Sequence, residues 1–331
     1  MAIPTSEVAK MGYIGFAKVF DLPVRFTSSN MGLRQDLIPS DMIDGGADRV
    51  MYRQSVIEAS GDINFPVVID GGFDFLDTIW EYAVDRKRNT ELRNRGELVN
   101  RGDVLIRFSQ ANERGEGGTY IFSKCKVKTL GLSITQGETM TGTLTVWGVN
   151  RQRVETFDIP RYTTPNCTVT WAHVNVYGYS PSQPRATSPD PIDKDNTFAS
   201  TEVRSFSVNI ENNLERNYTF NDEVGLALTN LTTGQRDITG TLEFQGWAPV
   251  EALAESHSAR VGTDEIIELG VRSRLVGGTT FRRRFFGVTY QLQDISSVMG
   301  VLAATTNWRA HGIKQFEESV ATYRAIDITG V

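Results

Sequence analysis

The chain has 331 residues, long enough for two domains of about 150 residues each. Its 34 basic and 40 acidic side chains leave a net charge of −6, which gives no general attraction to DNA, RNA or an anionic membrane. No apolar run approaches the roughly 18 residues of a membrane span, and MAIPTSEVAKMGYIG lacks the order of a secretory signal, so neither anchor nor leader is expected.

In chain order, residues 12–26 alternate apolar and polar through Ile14, Phe16 and Val19. Residues 27–55 hold Gly32, Pro39 and Gly45-Gly46 with few apolar side chains. They read as a long loop, the kind that serves a partner or a function. Ser60–Val84 then gives a strand with Ile63, Phe65, Val67 and Ile69 on one face. A Gly71-Gly72 break follows, and then a helix with Phe73, Leu76, Ile79, Trp80, Ala83 and Val84 on its apolar side. Asp85–Asp103 is a mixed-charge segment. It reads as a solvated arm, as an arm that docks on a neighbouring subunit, or, third, as a non-specific DNA contact blunted by Glu91, Glu97 and Asp103.

Val104–Phe108 and Tyr120–Val127 form an expected hairpin around Asn112–Gly118. A second follows from Leu130, Leu132 and Ile134 through Gln136-Gly137 into Met140–Val149. Cys167–Tyr177 reads as a strand, and Tyr179–Ser200, with four prolines, as an extended excursion. Val203–Asn209, Ile238–Phe244, Phe281–Gln291 and Gly300–Trp308 are further strands, while Ile313–Ile328 is a short helix or a last strand. Val250, Leu253, Ala254 and His257 supply a second helix face after Gly246 and Pro249.

The order of elements repeats. Ser60–Val84 is echoed by Thr239–Val261 at an offset of 179 (239 − 60), shared by Val24-Arg25 and Val203-Arg204. Val127, Ile134 and Trp147 match Val288, Ile295 and Trp308 at 161 (308 − 147), and Phe16–Val19 matches Trp171–Val174 at 155 (171 − 16). A tandem duplication accounts for this. The expected fold is mainly β, with two tandem antiparallel β-sandwich or barrel domains, each flanked by a short helix. Residues 1–150 carry the insertion 85–103, and residues 151–331 carry the Pro/Ser-rich excursion 179–200.

No catalytic, cofactor or metal motif emerges. His173, His257 and His311 have no second histidine at ligand spacing, and Cys125 and Cys167 form no CxxC, reading as reduced thiols. Gly115–Gly118 lacks the Lys-Ser/Thr of a phosphate loop. Strand geometry puts Arg282 and Arg284 on one face and Arg283 on the other, suited to salt bridges with a neighbouring strand or subunit. Two β-rich copies without an active site describe an assembly subunit rather than an enzyme.

The strand SGDINFPV before FDFLDTIWEYAV, the hairpin TYIFSKCKVKTLGLSITQGETMTGTLTVWG, and VRSFSVNIENNLERNYTFN leading to RDITGTLEFQGW resemble the tail tube proteins of long-tailed bacteriophages. That resemblance implies a virion protein, made and assembled in host cytoplasm. Its β domains would close into rings through intersubunit sheets, and the rings would stack with other tail proteins into a tube that passes the genome without binding it specifically. It also implies a long loop that reaches the next ring, here Thr27–Ser55, with Asp85–Asp103 as a second candidate.

Duplication would make the ring a homotrimer with pseudo-sixfold symmetry; a hexamer follows if one half alone lines the lumen. The residues expected at intersubunit contacts are Arg34, Asp36, Arg86, Arg88, Arg93, Arg95, Arg282 and Arg284. The alternatives are a β-sandwich receptor- or carbohydrate-binding module using Trp171, Tyr177 and Tyr179, or another virion protein such as a tail-completion or decoration protein.

Overall fold

In the computed structural model of the chain, the described residues are 11–17, 22–24, 26–34, 37–39, 52–54, 58–69, 76, 79, 80, 83, 84, 104–111, 117–154, 167–179, 196–198, 201–221, 225–245, 265–272, 280–292, 296–298, 301–319 and 322–327. The first half carries β1 (Met11–Ala17), β2 (Leu22–Val24), β3 (Ser28–Ser29), β4 (Gly32–Arg34), β5 (Leu37–Pro39) and β6 (Tyr52–Gln54). It continues with β7 (Glu58–Pro66), β8 (Val68–Ile69), β9 (Val104–Ala111), β10 (Gly117–Thr135), β11 (Thr141–Gly148) and β12 (Asn150–Val154). Between β8 and β9, Leu76, Ile79, Trp80, Ala83 and Val84 are helical and buried; we call their helix α1.

The second half begins with β13 (Cys167–Thr168), a 3-10 turn Trp171–His173, β14 (Val174–Tyr179) and β15 (Asn196–Phe198). It goes on through β16 (Val203–Glu211), β17 (Leu214–Asn221), β18 (Gly225–Thr233), β19 (Asp237–Gln245) and β20 (Glu265–Arg272). It ends with β21 (Thr280–Leu292), β22 (Ser296–Val298), β23 (Val301–Ala310), β24 (Gly312–Ser319) and β25 (Thr322–Asp327).

The protein is mainly β, and every pairing between these strands is antiparallel. In the first half the order is β3 and β4 beside β7, then β11, then β10. The second half gives β16, β19, β23, then β21 and β22. The two series join directly, because β10 pairs with β16 from Thr129↔Glu211 to Thr135↔Ser205. One antiparallel sheet therefore runs through both halves. Its inner face is apolar at every second position: Ile63, Phe65, Leu144, Val146, Leu130, Leu132 and Ile134, then Phe206, Val208, Ile210, Leu242, Phe244 and Trp308, all buried.

Both long strands cross from this sheet into a second layer. The early part of β10 pairs with β9 and β12, and β9 leads to β1 and β2. In the same way β21 pairs first with β20 and β24, and β20 leads to β14 and β15. The changeover falls at a left-handed residue in each strand, Lys124 (φ 50°) and Gly287 (φ 60°), which bends the strand as a bulge does. The layers face each other across the core, with Phe285 of the outer layer 5.1 Å from Trp308 and 6.5 Å from Phe206 between ring centres.

Several expectations change. The 27–55 segment is not simply a loop, since it contains β3 to β6; β7 supplies the hydrogen bonds that hold β3 and β4, so they need little apolar alternation of their own. Cys167–Tyr177 is broken by the 3-10 turn, leaving Ala172 exposed. Within Ile313–Ile328 the described residues are the strands β24 and β25.

Facing pairs can be compared between the two ladders. Gly61, Ile63 and Phe65 face Val146, Leu144 and Gly142, while Gly240, Leu242 and Phe244 face Trp308, Thr306 and Ala304. Trp308 thus lies on the buried face, stacked on Phe206, whereas Trp147 lies on the opposite face beneath Arg216 and Lys128. Residues 249–261, where the second helix is expected, lie outside the described residues, as do all of 85–103 and most of 179–200.

Candidate assembly surface

The joint between the halves is built from apolar pairs. Leu130, Leu132 and Ile134 of β10 stand opposite Ile210, Val208 and Phe206 of β16, and each of the six is buried to within 2 % exposure. Helix α1 closes over it from the first half: Trp80 makes edge contacts with Phe281 at 5.6 Å and Phe285 at 6.1 Å, both on β21.

The Ala83 and Val84 carbonyls of α1 accept hydrogen bonds from side chains of the second half. Buried Asn212, just after β16, donates from Nδ2 to the Ala83 and Val127 carbonyls, each at 2.8 Å. Arg236 donates from Nε to Asn212 Oδ1 at 3.0 Å and from its guanidinium to the Val84 carbonyl at 2.8 Å. The Asn212-Asn213-Leu214 turn within VRSFSVNIENNLERNYTFN is therefore an interlock between halves, aided by Asn213 in the left-handed region (φ 43°).

The other face of the continuous sheet is a carpet of hydroxyl and amide groups. Ser28, Asn64 and Thr143 form one row, with Asn64 Nδ2 donating to Ser28 Oγ at 2.9 Å and Thr143 Oγ1 donating to Asn64 Oδ1 at 2.8 Å. Thr145 Oγ1 donates to Asp62 at 2.7 Å; Ser133 and Thr141 share a bond of 3.0 Å, and Ser207 and Thr241 one of 2.7 Å. Ser207, Asn209, Thr241, Gln291 and Asn307 line an open trough on this face.

Charges here come largely as pairs. Arg204 lies 3.4 Å from Glu243, and Arg309 binds Asp237. Asp237's carboxyl is held below the usual carboxylate range, first by its hydrogen bond from Arg309 and then by one from Asn213 at 3.1 Å.

At the β7 end, the β17–β18 hairpin leans across the first half. Arg216 pairs with Glu58 at 2.7 Å and lies over the Trp147 ring at 3.8 Å, with Lys128 on the same ring at 4.8 Å. Tyr218 donates to Glu58 at 2.8 Å; its phenol is pushed above its ordinary pKa by burial first and by Glu58 second.

Of the expected contact residues, Arg34 lies on β4, at the outer strand of the first-half ladder. Arg282 and Arg284 both grip Glu268 of adjacent β20, at 3.0 and 2.5 Å, and Glu268 is buried; Arg283 points the other way, over the Phe281 ring at 4.0 Å. The strand alternation read from the sequence thus holds, and the neighbouring strand supplies the carboxylate. Asp36, Arg86, Arg88, Arg93 and Arg95 lie outside the described residues. Sequence reasoning missed Asn212, Arg236 and Glu268, which matter through contacts distant in the chain; the one available signal was the Asn-Asn-Leu turn.

Among the described residues no group of His, Cys, Asp and Glu could hold a metal ion. A family model described as phage tail tube protein matches residues 5–245. No curated protein matches the chain.

Proposed function

Because the chain belongs to the phage tail tube protein family, we propose that it is the repeating subunit of a tail tube. In this reading three copies form a ring with pseudo-sixfold symmetry, and rings stack head-to-tail into the hollow tube through which the genome leaves. Head-to-tail contacts do not close, and so they propagate a filament. The two halves act as tandem tube domains, 1–150 and 151–331, related by duplication. The matching strand orders and the matching bends at Lys124 and Gly287 support that division.

The observation that carries the reading is the single sheet running through both halves, apolar on one side and lined with hydroxyls and amides on the other. Placed toward the ring axis, the polar face makes the wall of the channel. Ser28, Asn64 and Thr143 already bond in a row, Ser133 bonds Thr141 and Ser207 bonds Thr241, and Arg204 and Arg309 are paired with carboxylates. Such a wall offers a passing phosphate backbone little counterion release, and a duplex slides past. Residues 27–55 and 85–103, with Asp36, Arg86, Arg88, Arg93 and Arg95, would meet the next ring or other tail proteins. The role is structural and needs no cofactor; the protein would be assembled in host cytoplasm and reside in the virion tail.

The test is cryo-electron microscopy of the purified protein at high concentration, with rotational symmetry taken from end-on views. Threefold rings with two similar densities per chain, stacked into tubes, are expected. Rings of six whole chains would discard the tandem arrangement, and a dispersed monomer under all conditions would favour the receptor- or carbohydrate-binding alternative.

A further inference from the structure

The cations of the polar sheet face are held in two ways. Arg204 and Arg309 sit on the carboxylates of Glu243 and Asp237. At the corner where β10 leaves this face for the second layer, the arrangement differs. Lys124, Lys126 and Lys128 recur at alternate positions of β10, with Cys125 and Val127 buried between them. Lys126 stands opposite Trp147 of β11. Lys128 is the extra residue of a bulge between Val127 and Thr129, so the polar face carries one side chain more than a regular strand would supply.

Among the described residues none of these three lysines forms an ion pair. Glu58 is taken by Arg216 at 2.7 Å and Tyr218 at 2.8 Å, and Asp62 by Thr145 and Asn30. Glu211, opposite Thr129 across the joint, is set against three lysines, which leaves a positive surplus on a chain of net charge −6. Trp147 holds the cations in place: Lys128 lies over its ring at 4.8 Å and Arg216 at 3.8 Å. An ammonium already held loses less freedom on meeting an anion. A ring covered by its own cations is closed to a stacking base.

We propose that this corner contacts the phosphate backbone of duplex DNA through Lys124, Lys126 and Lys128. This rests on the channel reading above and refines it: the wall is neutral where its cations are paired and grips the duplex by charge at one corner. Lysines two residues apart on a strand stand roughly 6–7 Å apart. A duplex presents a charge about every 1.7 Å along its axis, so phosphates meet the row in any register and no base edge is read. An acidic peptide would have to match its carboxylates to the row, and the channel reading brings DNA, not a peptide, along this face.

The test is the salt dependence of binding to a labelled mixed-sequence duplex, followed by fluorescence anisotropy with the purified chain dispersed at low concentration. Lys126→Gln and Lys128→Gln should each lower the slope of log K against log salt by about 0.9, and the double variant by about twice that. The loss should be uniform across unrelated sequences. Lys126→Arg with Lys128→Arg keeps both charges and should keep the slope.

Unchanged slopes in the glutamine variants, or no duplex binding by wild type at low salt, would overturn the contact. Tighter binding to polyglutamate than to a duplex of equal charge would also overturn it and assign the corner to an acidic protein segment. Tube formation at high concentration is read separately by electron microscopy. If tubes form while the dispersed chain binds no duplex, the contact falls and the tube reading stands. Binding with the expected slopes but without tubes keeps the contact and removes the channel.

Discussion

Two strands occupy the same place in the two halves and look different. β16 runs unbroken for nine residues with a partner on each side. The strand at that place in the first half is split into β3 and β4, with Asn30 and Met31 between them and, among the described residues, β7 as partner. At the split, Asn30 turns its side chain onto Asp62, donating to Oδ2 at 3.1 Å and accepting from the Asp62 amide at 2.5 Å. The difference shows that the second neighbour, as much as the strand's own sequence, makes it regular. A strand covered on both sides gains cross-strand packing along its whole length, while one at an edge is free to bulge.

The largest effect should come from the side that is already joined. Trp80→Ala removes the ring that α1 lays against Phe281 and Phe285, and should cost about 3–5 kcal/mol in denaturant unfolding, as buried aromatic truncations do. Trp308→Ala should fall in the same range, because that ring stacks on Phe206 at 5.8 Å inside the core. Trp147→Ala, on the outer face between Arg216 and Lys128, should cost no more than about 1–2 kcal/mol. Similar losses at Trp147 and Trp308 would break the assignment of the two residues to opposite faces.

That contrast also marks what the sequence made legible. The strand β7 and both hairpins of β9 to β11 were readable because apolar alternation and glycine turns are local signals. Which way each tryptophan faces was not: Trp147 and Trp308, matched by identity in the sequence, lie on opposite faces, and in a strand one residue exchanges inside for outside. The interlock was less accessible still: Asn212 meets Ala83 across 129 positions of chain, and no spacing rule reaches that far. Nor does the sequence announce that Glu268 will lie buried between Arg282 and Arg284, although the alternation of the arginines was plain.

Asn212→Ala would remove the donors that the Ala83 and Val127 carbonyls use, leaving them buried and unpaired, and should cost about 1–3 kcal/mol. A loss under a few tenths would mean that water replaces the amide. Beside the β3–β4 split, Gly61→Ala should cost about 1–3 kcal/mol, because a Cβ there would stand 2.5 Å from Met31 Cα, which is backbone and cannot swing aside. Gly131→Ala is the control on the joined side, where the nearest atom is Asn209 Oδ1 at 3.8 Å; unfolding midpoints that fall equally for both would remove the special role of Gly61.

The smallest effect separates two carboxylates at equivalent places. Glu58 of β7 binds Arg216 and Tyr218 from the other half, whereas Asp237 of β19 binds Arg309 and Asn213 within its own. Asp237's pKa is lowered on folding, so its contribution is present at neutral pH and fades as pH falls from about 4 through its depressed folded value. The pair is largely exposed, so solvent and salt screen it and the gain is modest. Asp237→Asn should therefore unfold slightly earlier than wild type at pH 7, with the gap narrowing in high salt and closing in acid below the folded pKa. A gap that stayed constant down to pH 2 would assign Asp237 a packing role in place of an electrostatic one, and the two halves would then differ in shape alone at this position.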